Sequence, residues 1–404
     1  MVVLFDLGLD PTGAPQDVGP QMLISAAVTV MVGLLLIAVR GPLSRLMRDR
    51  DDAGAVQASH VGDPLRLGGV AIFIGLAAGM VVGTWQDTAL PAFLILSAGP
   101  VLLAGLSEDL GFWVSPLRRL VAAGVSAALA VVLLGVWVAH ADLPGLDLVM
   151  AFMPAAVVLT IALSGGFCHA TNLVDGMNGL ATTVVLSAAV GLTLLAHEAG
   201  DADLAVLAAL VGAAMAGFLV LNWPFGTVFM GDAGSYGVGH ILIWIAILLA
   251  WRVPDITAPA LLLILFWPFA DTFHSIARRL MRRAPVFAPD RMHLHQKMRR
   301  CIEIVFLGDT NRKLSNPLAT LCLVPMIVIP VVAGVYLSQD PRGAWIALVI
   351  FGLLFAVTNV LVTRFACARR RRYCDESGRV TYAMPRKVAL VRHIFPGLIK
   401  SNHR

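Results

Sequence analysis

Eleven apolar runs recur along the chain, and each is close to the length that a helix needs to cross a membrane. A helix takes roughly 20 apolar residues to span a hydrocarbon core of about 30 Å. Charged residues make up only 14% of the chain, too few for a surface that faces water on all sides. The pattern therefore predicts an all-α, polytopic membrane protein with about 11 transmembrane helices. The runs cover residues 21–39, 67–84, 90–107, 120–139, 148–165, 181–197, 204–221, 236–251, 259–276, 317–337 and 344–363.

The distribution of Lys and Arg predicts the orientation. If the N-terminus lies outside, 28 of the 30 Lys and Arg residues fall on the inner side, and only Arg252 and Arg342 do not. Basic residues are enriched in cytoplasmic loops. We therefore expect a periplasmic N-terminal tail over 1–20, a transmembrane domain over 21–363 and a basic cytoplasmic tail over 364–404. Because the basic residues are concentrated on the predicted inner side of the membrane, the net charge of +5 does not indicate a nucleic-acid-binding protein.

Two further features concern processing and redox state. Residues 1–20 contain no Lys or Arg, so the first apolar run is expected to be retained and not cleaved as a signal peptide. The five cysteines form no CxxC pair and none lies in a predicted outer loop. We expect them to be free thiols.

Acidic and amide side chains are concentrated in four inner segments, 108–119, 166–180, 222–235 and 277–316. These segments contain Glu108 and Asp109; Asn172, Asp175 and Asn178; Asp232; and Asp290 with His293 and His295. Two of them, 166–180 and 222–235, have no Lys or Arg. Carboxylates at helix ends without local counter-ions are suited to a divalent cation.

The spacing within these segments suggests binding roles. Asn172, Asp175 and Asn178 recur every three residues, so on a helical turn they would share one side. Asp232 lies between two glycines at the start of a predicted helix, where free N–H groups would suit a phosphate. A solvated helix end at Glu108, or an ordinary turn around Asp175, is the structural alternative. No Cys or further His completes a zinc set around His293 and His295.

The two Gly-containing segments also resemble the motifs of a known family. Val-Phe-Met-Gly-Asp-Ala-Gly-Ser at 228–235, Asn-Leu-Val-Asp-Gly-Met-Asn-Gly at 172–179 and the Leu-Gly-Gly that follows Arg66 are similar to those of polyprenyl-phosphate N-acetylhexosamine-1-phosphate transferases. That family includes enzymes that start O-antigen and teichoic acid synthesis, and the phospho-MurNAc-pentapeptide translocase. The resemblance extends from Arg66 to the His segment.

The resemblance implies a function and a site. It implies transfer of a HexNAc-1-phosphate, above all GlcNAc-1-phosphate, from a UDP-sugar to undecaprenyl phosphate with release of UMP, at the cytoplasmic face of the bacterial inner membrane. It implies Mg²⁺ as cofactor, and it leaves a homodimer open. The implied catalytic residues are Glu108, Asp109, Asp175 and Asp232, the metal ligands Asn178 and Asp232, and the substrate-binding residues Arg66, Asn172, Arg291, His293 and His295.

Three positions depart from the family pattern. Glu108 and Asn178 replace residues that are Asp in many members, and both keep an oxygen ligand. Gln296 replaces a further His in the segment where the family distinguishes its sugar donors. The HxHQ pattern also argues against the translocase, which has three consecutive His, although that activity remains the alternative within the family.

Two other classes of membrane protein are weaker alternatives. A secondary transporter would place its polar site near the bilayer midplane, whereas these acidic residues lie at the inner ends of the spans. A CDP-alcohol phosphotransferase would require Ala-Arg soon after Asp-Gly, but Asp175-Gly176 is followed by Met-Asn-Gly.

Overall fold

The computed structural model describes residues 6–9, 15–46, 65–285, 290, 292–307 and 312–371 of the 404-residue chain. Within these ranges the chain is almost entirely helical, as predicted. The exception is a short antiparallel ribbon of β1 (Asp6–Leu9) and β2 (Pro15–Asp17). The helices are α1 (Gly19–Ala38), α2 (Arg40–Leu46), α3 (Gly68–Val82), α4 (Leu90–Asp109), α5 (Pro116–Leu134), α6 (Pro144–Met150), α7 (Met153–Val174), α8 (Leu180–Glu198), α9 (Ala202–Asn222), α10 (Gly231–Arg252), α11 (Ala258–Ile264), α12 (Phe266–Met281), α13 (Leu294–Ile302), α14 (Arg312–Tyr336) and α15 (Pro341–Arg371), with a π-helical turn at Glu303–Leu307.

Every predicted apolar run overlaps a helix, but not every run is one long helix. The run at 120–139 leaves the helix after Leu134, and the run at 148–165 includes the end of α6 and the start of α7. Nine of the described helices are long and apolar enough to cross a membrane, and the number is ten if the bent pair α11–α12 counts as one span. The run at 67–84 forms α3, which has only 15 residues. A polytopic all-α membrane fold is therefore confirmed with nine or ten such spans, and the orientation of the termini remains a prediction.

The run at 259–276 is broken where one continuous span was predicted. Helices α11 and α12 meet at Leu265 with a bend of 88°. Pro268 explains the break, because proline has no N–H and its ring would clash with the carbonyl of Ile264 in a continuous helix. In the first turn of α12 the missing N–H is harmless, since the first four N–H groups of a helix have no helical partner.

Helix α10 forms the centre of the bundle. Nearly all of its residues are buried, and α4, α7 and α3 pack around it. Helix α9 is buried almost as completely. Both helices are apolar on all sides, as expected for helices in the interior of a large protein.

Two glycines allow α3 and α4 to approach the first turn of α10 closely. A Cβ atom at Gly69 would lie 2.3 Å from the backbone nitrogen of Gly234, and one at Gly105 would lie 2.5 Å from that of Ala233. Contacts this short are not tolerated by real Cβ atoms, so backbone packs directly on backbone here. The position of the α10 N-terminus is thus set by α3 and α4.

Backbone hydrogen bonds hold the segment that leads into α10. Leu65 and Val228 form an isolated parallel bridge. The N–H of Gly68 donates to Phe229 O (2.9 Å), and that of Gly69 donates to Met230 O (2.8 Å). The start of α3 therefore fixes the residues immediately before Asp232.

At the C-terminal end, α15 continues past the predicted boundary at residue 364 and is helical to Arg371. The remainder of the predicted basic tail lies outside the described residues. Cys168, Cys301, Cys322 and Cys367 are free thiols, as expected.

Candidate functional site

A polar cleft lies at the end of the bundle where α7 ends and α10 begins. It combines residues from three of the four acidic segments with the residues before α3. We call this the cleft throughout. Its lining residues are Arg66, Asn172, Leu173, Asp175, Gly176, Phe229, Gly231, Asp232, His293, His295 and Gln296.

The first turn of α10 is capped by carboxylates from two other helix ends. Asp175 Oδ2 accepts the N–H of Gly231 (3.1 Å), whereas the two oxygens of Asp109 accept the N–H groups of Asp232 (2.9 Å) and Ala233 (2.8 Å). A helix N-terminus attracts negative charge because its N–H groups are unpaired. Here side chains fill those positions, so the expectation that these N–H groups would bind a phosphate is wrong.

Gly231 allows this arrangement because of its backbone conformation. Its φ is +73°, and a Cβ atom there would lie 2.0 Å from Arg66 O and 2.6 Å from Asp109 Oδ2. A positive φ favours glycine. The Gly-Asp pair of the motif thus brings Asp109 and Arg66 close to the first turn.

Asp232 projects from that first turn and is bonded on both sides. Its Oδ2 accepts from Arg119 Nη1, and its Oδ1 accepts from Asn172 Nδ2 (3.1 Å). Asn172 Nδ2 also donates to Ser235 Oγ (2.8 Å), which in turn donates to Gly231 O (2.8 Å). The end of α7 and the start of α5 therefore meet at this one carboxylate.

Asp175 is the second carboxyl group that lines the cleft, and it is half-buried. Burial raises its pKa to about 8, and the positive charge of Arg66 and the N–H of Gly231 oppose this shift only in part. An unpaired buried carboxylate is unfavourable, so Asp175 holds a proton more readily than an exposed aspartate. A cation nearby would favour the ionised form.

The predicted common face of Asn172, Asp175 and Asn178 is not formed. Helix α7 ends at Val174, and Asp175 has left the helical conformation (φ −78°, ψ 48°). Asn178 points elsewhere. Its Nδ2 donates to Pro224 O (2.8 Å), its N–H donates to Asn316 Oδ1 (2.9 Å), and it is not among the residues that line the cleft. The structure thus brings Asn172, and not Asn178, to Asp232.

Glu108 also lies apart from the lining residues. Its Oε2 accepts the N–H of Val114 (2.7 Å) and so holds the turn between α4 and α5. Of the predicted catalytic carboxylates, Asp175 and Asp232 line the cleft, Asp109 caps the helix behind it, and Glu108 shapes the loop beside it.

The opposite wall of the cleft comes from α13, which is anchored through Asp271. This carboxylate accepts from His293 Nδ1 (2.9 Å) and lies 3.7 Å from His295 Nδ1. Asp271 lies inside α12, where a buried carboxylate needs a partner. Asp271 was not among the predicted site residues, and its role is to hold His293 by a hydrogen bond and to lie within ion-pair distance of His295.

A second carboxylate fixes the segment just before α13. Asp290 pairs with Arg278 and accepts from Ser275 Oγ (2.5 Å), and Arg278 also donates to Met292 O (2.7 Å). Arg291, a predicted substrate-binding residue, lies outside the described residues. The residues just before α13 are therefore held in place by side chains of α12.

The pKa of His293 is raised even though burial alone would lower it. The charges of Asp271 and Asp290 outweigh the cost of burial. The pKa of His295 is lowered, because burial dominates for that ring. His293 Nε2, His295 Nδ1 and Gln296 Oε1 are buried and have no hydrogen-bond partner. This wall therefore offers polar atoms for a ligand in the cleft.

The role of Arg119 was not predicted from the sequence. Ser115 and Pro116 were available as a helix start signal, and they do begin α5. That start places Arg119 in the first turn of α5, at the same end of the bundle as Asp232.

Among the described residues, no group of three or more His, Cys, Asp or Glu side chains is arranged to hold a metal ion. Mg²⁺ does not need such a set, since proteins usually bind it through one or two carboxylates together with substrate phosphates. Asp232 and the Asn172 carboxamide meet at the cleft, with Asp175 nearby. These oxygen-bearing groups fit that mode of binding.

Comparison with known proteins agrees with these motifs. Residues 91–250 match the sequence profile of Glycosyl transferase family 4. This stretch includes Asp109, Arg119, Asn172, Asp175 and Asp232, that is, one wall of the cleft and the helix that carries it.

Three relatives match over most of their length. The chain is 28% identical to a decaprenyl-phosphate N-acetylglucosaminephosphotransferase of Mycobacterium tuberculosis (strain CDC 1551 / Oshkosh), over 77% of this chain and 87% of the relative. It is 28% identical to undecaprenyl-phosphate alpha-N-acetylglucosaminyl 1-phosphate transferases of Haemophilus influenzae (87% of this chain, 98% of the relative) and Pasteurella multocida (85% and 94%).

Proposed function

Because residues 91–250 match the profile of Glycosyl transferase family 4 and the relatives are named for transfer of this group, we propose that the protein transfers GlcNAc-1-phosphate from UDP-GlcNAc to undecaprenyl phosphate and releases UMP. The product would start a cell-envelope polysaccharide. The observation that carries the proposal is the cleft, which combines Asp175 and Asp232 on one wall with His293 and His295 on the other. The names of the relatives supply the class of acceptor and sugar.

Both substrates are anions, so their approach is opposed by repulsion until positive charge is supplied. Arg66 lines the cleft and Arg119 lies at its edge, and both carry permanent positive charge. His293 lies on the opposite wall with a raised pKa. We assign these three groups to the phosphates of donor and acceptor.

Mg²⁺ is the cofactor that fits the remaining groups. When bound, it would neutralise the diphosphate of the donor and favour departure of UMP. Asp232 would hold it through its carboxylate and Asn172 through its amide oxygen, since the two side chains are adjacent at the cleft, where Asn172 Nδ2 donates to Asp232 Oδ1 (3.1 Å). This assignment replaces the pair of Asn178 and Asp232 expected from sequence.

Asp175 is the carboxyl group that we assign to the acceptor phosphate. It lines the cleft, whereas both oxygens of Asp109 already accept backbone N–H groups. Asp175 would orient the phosphate oxygen that attacks the phosphorus attached to the sugar. Asp109 would contribute indirectly, because it holds the first turn of α10 and thereby positions Asp232.

The test is an assay of UMP release. Purified protein is incubated with undecaprenyl phosphate, Mg²⁺ and a panel of UDP-sugars, and release is expected with UDP-GlcNAc. Asp232→Ala should lower the rate by at least about 10²–10³, the usual cost of removing one electrostatic contact to a reacting group, while the protein remains folded.

Three results would change this proposal. No release with any UDP-HexNAc would refute it. Release with UDP-MurNAc-pentapeptide alone would assign the chain to the translocase branch of the family. Near-normal turnover of Asp232→Ala would remove Asp232 from the metal site.

A further inference from the structure

Arg119 occupies the carboxylate that the proposed function assigns to a divalent cation. Arg119 Nη1 donates to Asp232 Oδ2, and Asn172 Nδ2 donates to Asp232 Oδ1 (3.1 Å). The side chains of Arg119 and Asp232 are only 20% and 16% exposed. Both oxygens of Asp232 are therefore bonded to donors without any metal ion.

This pairing has an electrostatic reason. The N–H of Asp232 is bonded to the carboxylate of Asp109, so two carboxylates lie close together at the first turn of α10. Like charges at short distance repel strongly where water is partly excluded. The guanidinium of Arg119 offsets this repulsion and keeps the Asp232 side chain in one position.

The same pairing opposes a divalent cation. A metal ion bound to Asp232 would lie next to a second positive charge, and it would need the oxygen that Arg119 now bonds. The guanidinium and the cation therefore compete for one carboxylate. The Nε–H of Arg119 is buried and has no hydrogen-bond partner, so the paired position leaves one donor of the guanidinium unsatisfied, a cost that a second position would relieve.

We propose that Arg119 is a built-in counter-ion of Asp232 that a divalent cation displaces, and that the displaced guanidinium then binds a phosphate of the nucleotide. A guanidinium suits that second role because its planar N–H groups match phosphate oxygens in pairs. Binding of the cation thus makes a second positive group, the Arg119 guanidinium, available to the phosphates of the nucleotide-sugar donor. The inference rests on the proposed function, which supplies the cation and the nucleotide.

Arg118 provides a matched control. It is the preceding residue in the same turn of α5, it carries the same charge, and its side chain is exposed. Arg118→Gln therefore reproduces the loss of one positive charge near the site without breaking the bond to Asp232. Arg119→Lys keeps the charge but not the planar geometry.

The experiment measures binding of Mn²⁺ to the purified full-length protein by electron paramagnetic resonance, first without nucleotide and then with UMP. Without nucleotide, Arg119→Gln should bind Mn²⁺ about three- to tenfold more tightly than wild type, because a competing ion pair of modest strength has been removed. Arg119→Lys should lie near wild type, and Arg118→Gln should be unchanged. Asp232→Asn should lose this binding, which identifies the site.

The second half of the experiment tests the displaced state. In wild type, Mn²⁺ should strengthen binding of UMP, because it frees Arg119 for the phosphate. In Arg119→Gln this gain should be lost, whereas Arg118→Gln should retain it.

Equal or weaker Mn²⁺ binding by Arg119→Gln, in a variant whose unfolding temperature matches wild type, would overturn the inference. So would Mn²⁺ binding that does not depend on Asp232. Both measurements need no turnover, so they are separate from the assay of UMP release. A wild-type protein that releases no UMP would refute the proposed function, while the competition at Asp232 would still be measured.

Discussion

Asp109, Asp175 and Asp232 lie around the same helix start, yet their oxygen atoms have different partners. Asp109 accepts two backbone N–H groups, Asp175 accepts one, and Asp232 bonds to Arg119 and Asn172. Hydrogen-bond partners, and not closeness alone, therefore separate the structural carboxylate from those that face the cleft.

Replacing Asp109 tests this separation. Asp109→Asn puts an NH₂ group where one oxygen accepts an N–H of the α10 N-terminus, so one cap is lost and the charge is removed. We expect the free energy of unfolding to fall by about 1–2 kcal/mol, the usual cost of losing a helix cap, and activity to fall with it. Chemical denaturation in detergent measures the first quantity and UMP release the second. Lost turnover with unchanged stability would instead place Asp109 in the chemistry.

The pair of His293 and Asp271 gives a pH dependence. The pKa of His293 is raised above its ordinary value of about 6.5, so the folded protein holds this proton more tightly than the unfolded chain. Its stabilisation is complete below about pH 6.5 and is lost as the pH rises through the raised pKa.

The consequence can be measured as an unfolding temperature between about pH 6 and pH 9. Wild type should lose stability with rising pH over this range, and Asp271→Asn should lose less, because the charge that raises the pKa of His293 is gone. Asp255→Asn, an exposed aspartate outside the site, should behave as wild type. An equal slope in wild type and Asp271→Asn would show that this pair does not titrate in the range.

The sequence predicted which residues lie in the cleft better than it predicted the hydrogen-bond partners of those residues. Asp175 and Asp232 were predicted and lie in the cleft. The choice between Asn172 and Asn178 depends on where α7 ends, which the spacing alone did not show. Helix α7 ends at Val174, and Gly176, just after the C-cap Asp175, is the local signal that would have placed Asn178 beyond the helix. Asp271 and Arg119 became meaningful only through partners that are distant in sequence.

Among the elements, the contacts of α3 and α4 with α10 involve backbone on both sides. A Cβ at Gly105 would meet the backbone of Ala233, which no rotamer change can relieve. The positions of α3 and α4 against α10 therefore leave no room for even one added methyl group at Gly69 and Gly105. The Asp109 carboxylate at the end of α4 depends on that fit.

Gly105→Ala should test the fit against a control in the same helix. The added methyl must push α4 away from α10, so we expect UMP release to fall at least tenfold, since small displacements of catalytic groups are costly. Gly99→Ala adds the same methyl where nothing lies within 4 Å, and it should leave activity unchanged and stability equal or higher. Equal activity of the two variants would contradict the close contact.

The apolar runs predicted the elements well because each helix must cover its length with apolar residues. The break at Leu265 was missed because the mean hydropathy of a run does not respond to one proline. Pro268 was visible in the sequence, and it is the local signal that would have predicted two helices.

Across the whole molecule, the polar site and most of the basic residues share one end of the bundle. The positive-inside rule assigns this end to the cytoplasm, where a UDP-sugar would be available. The orientation stays a prediction, which depends only on counts of residues along the sequence. The cleft could not be predicted in this way, because it depends on contacts between segments more than 100 residues apart.

Labelling of single cysteines in whole cells checks this orientation. In a variant without its five native cysteines, Arg342→Cys should react with a membrane-impermeant maleimide in intact cells, whereas Arg118→Cys should react only after permeabilisation. These two residues lie at opposite ends of the bundle in the predicted topology. The reverse labelling pattern would show that the orientation is opposite to the predicted one, and it would exclude a cytoplasmic site.

The capping of α10 by other helices also bears on how the protein is made. The Asp109 carboxylate and the two N–H groups that it accepts are 123 and 124 residues apart in the chain. Asp175 precedes Gly231, whose N–H it accepts, by 56 residues. While the chain is being inserted into the membrane, α4 and α7 therefore precede their common partner. The site is complete only when α10 enters the bundle, so we expect a nascent chain that stops before Gly231 to lack it.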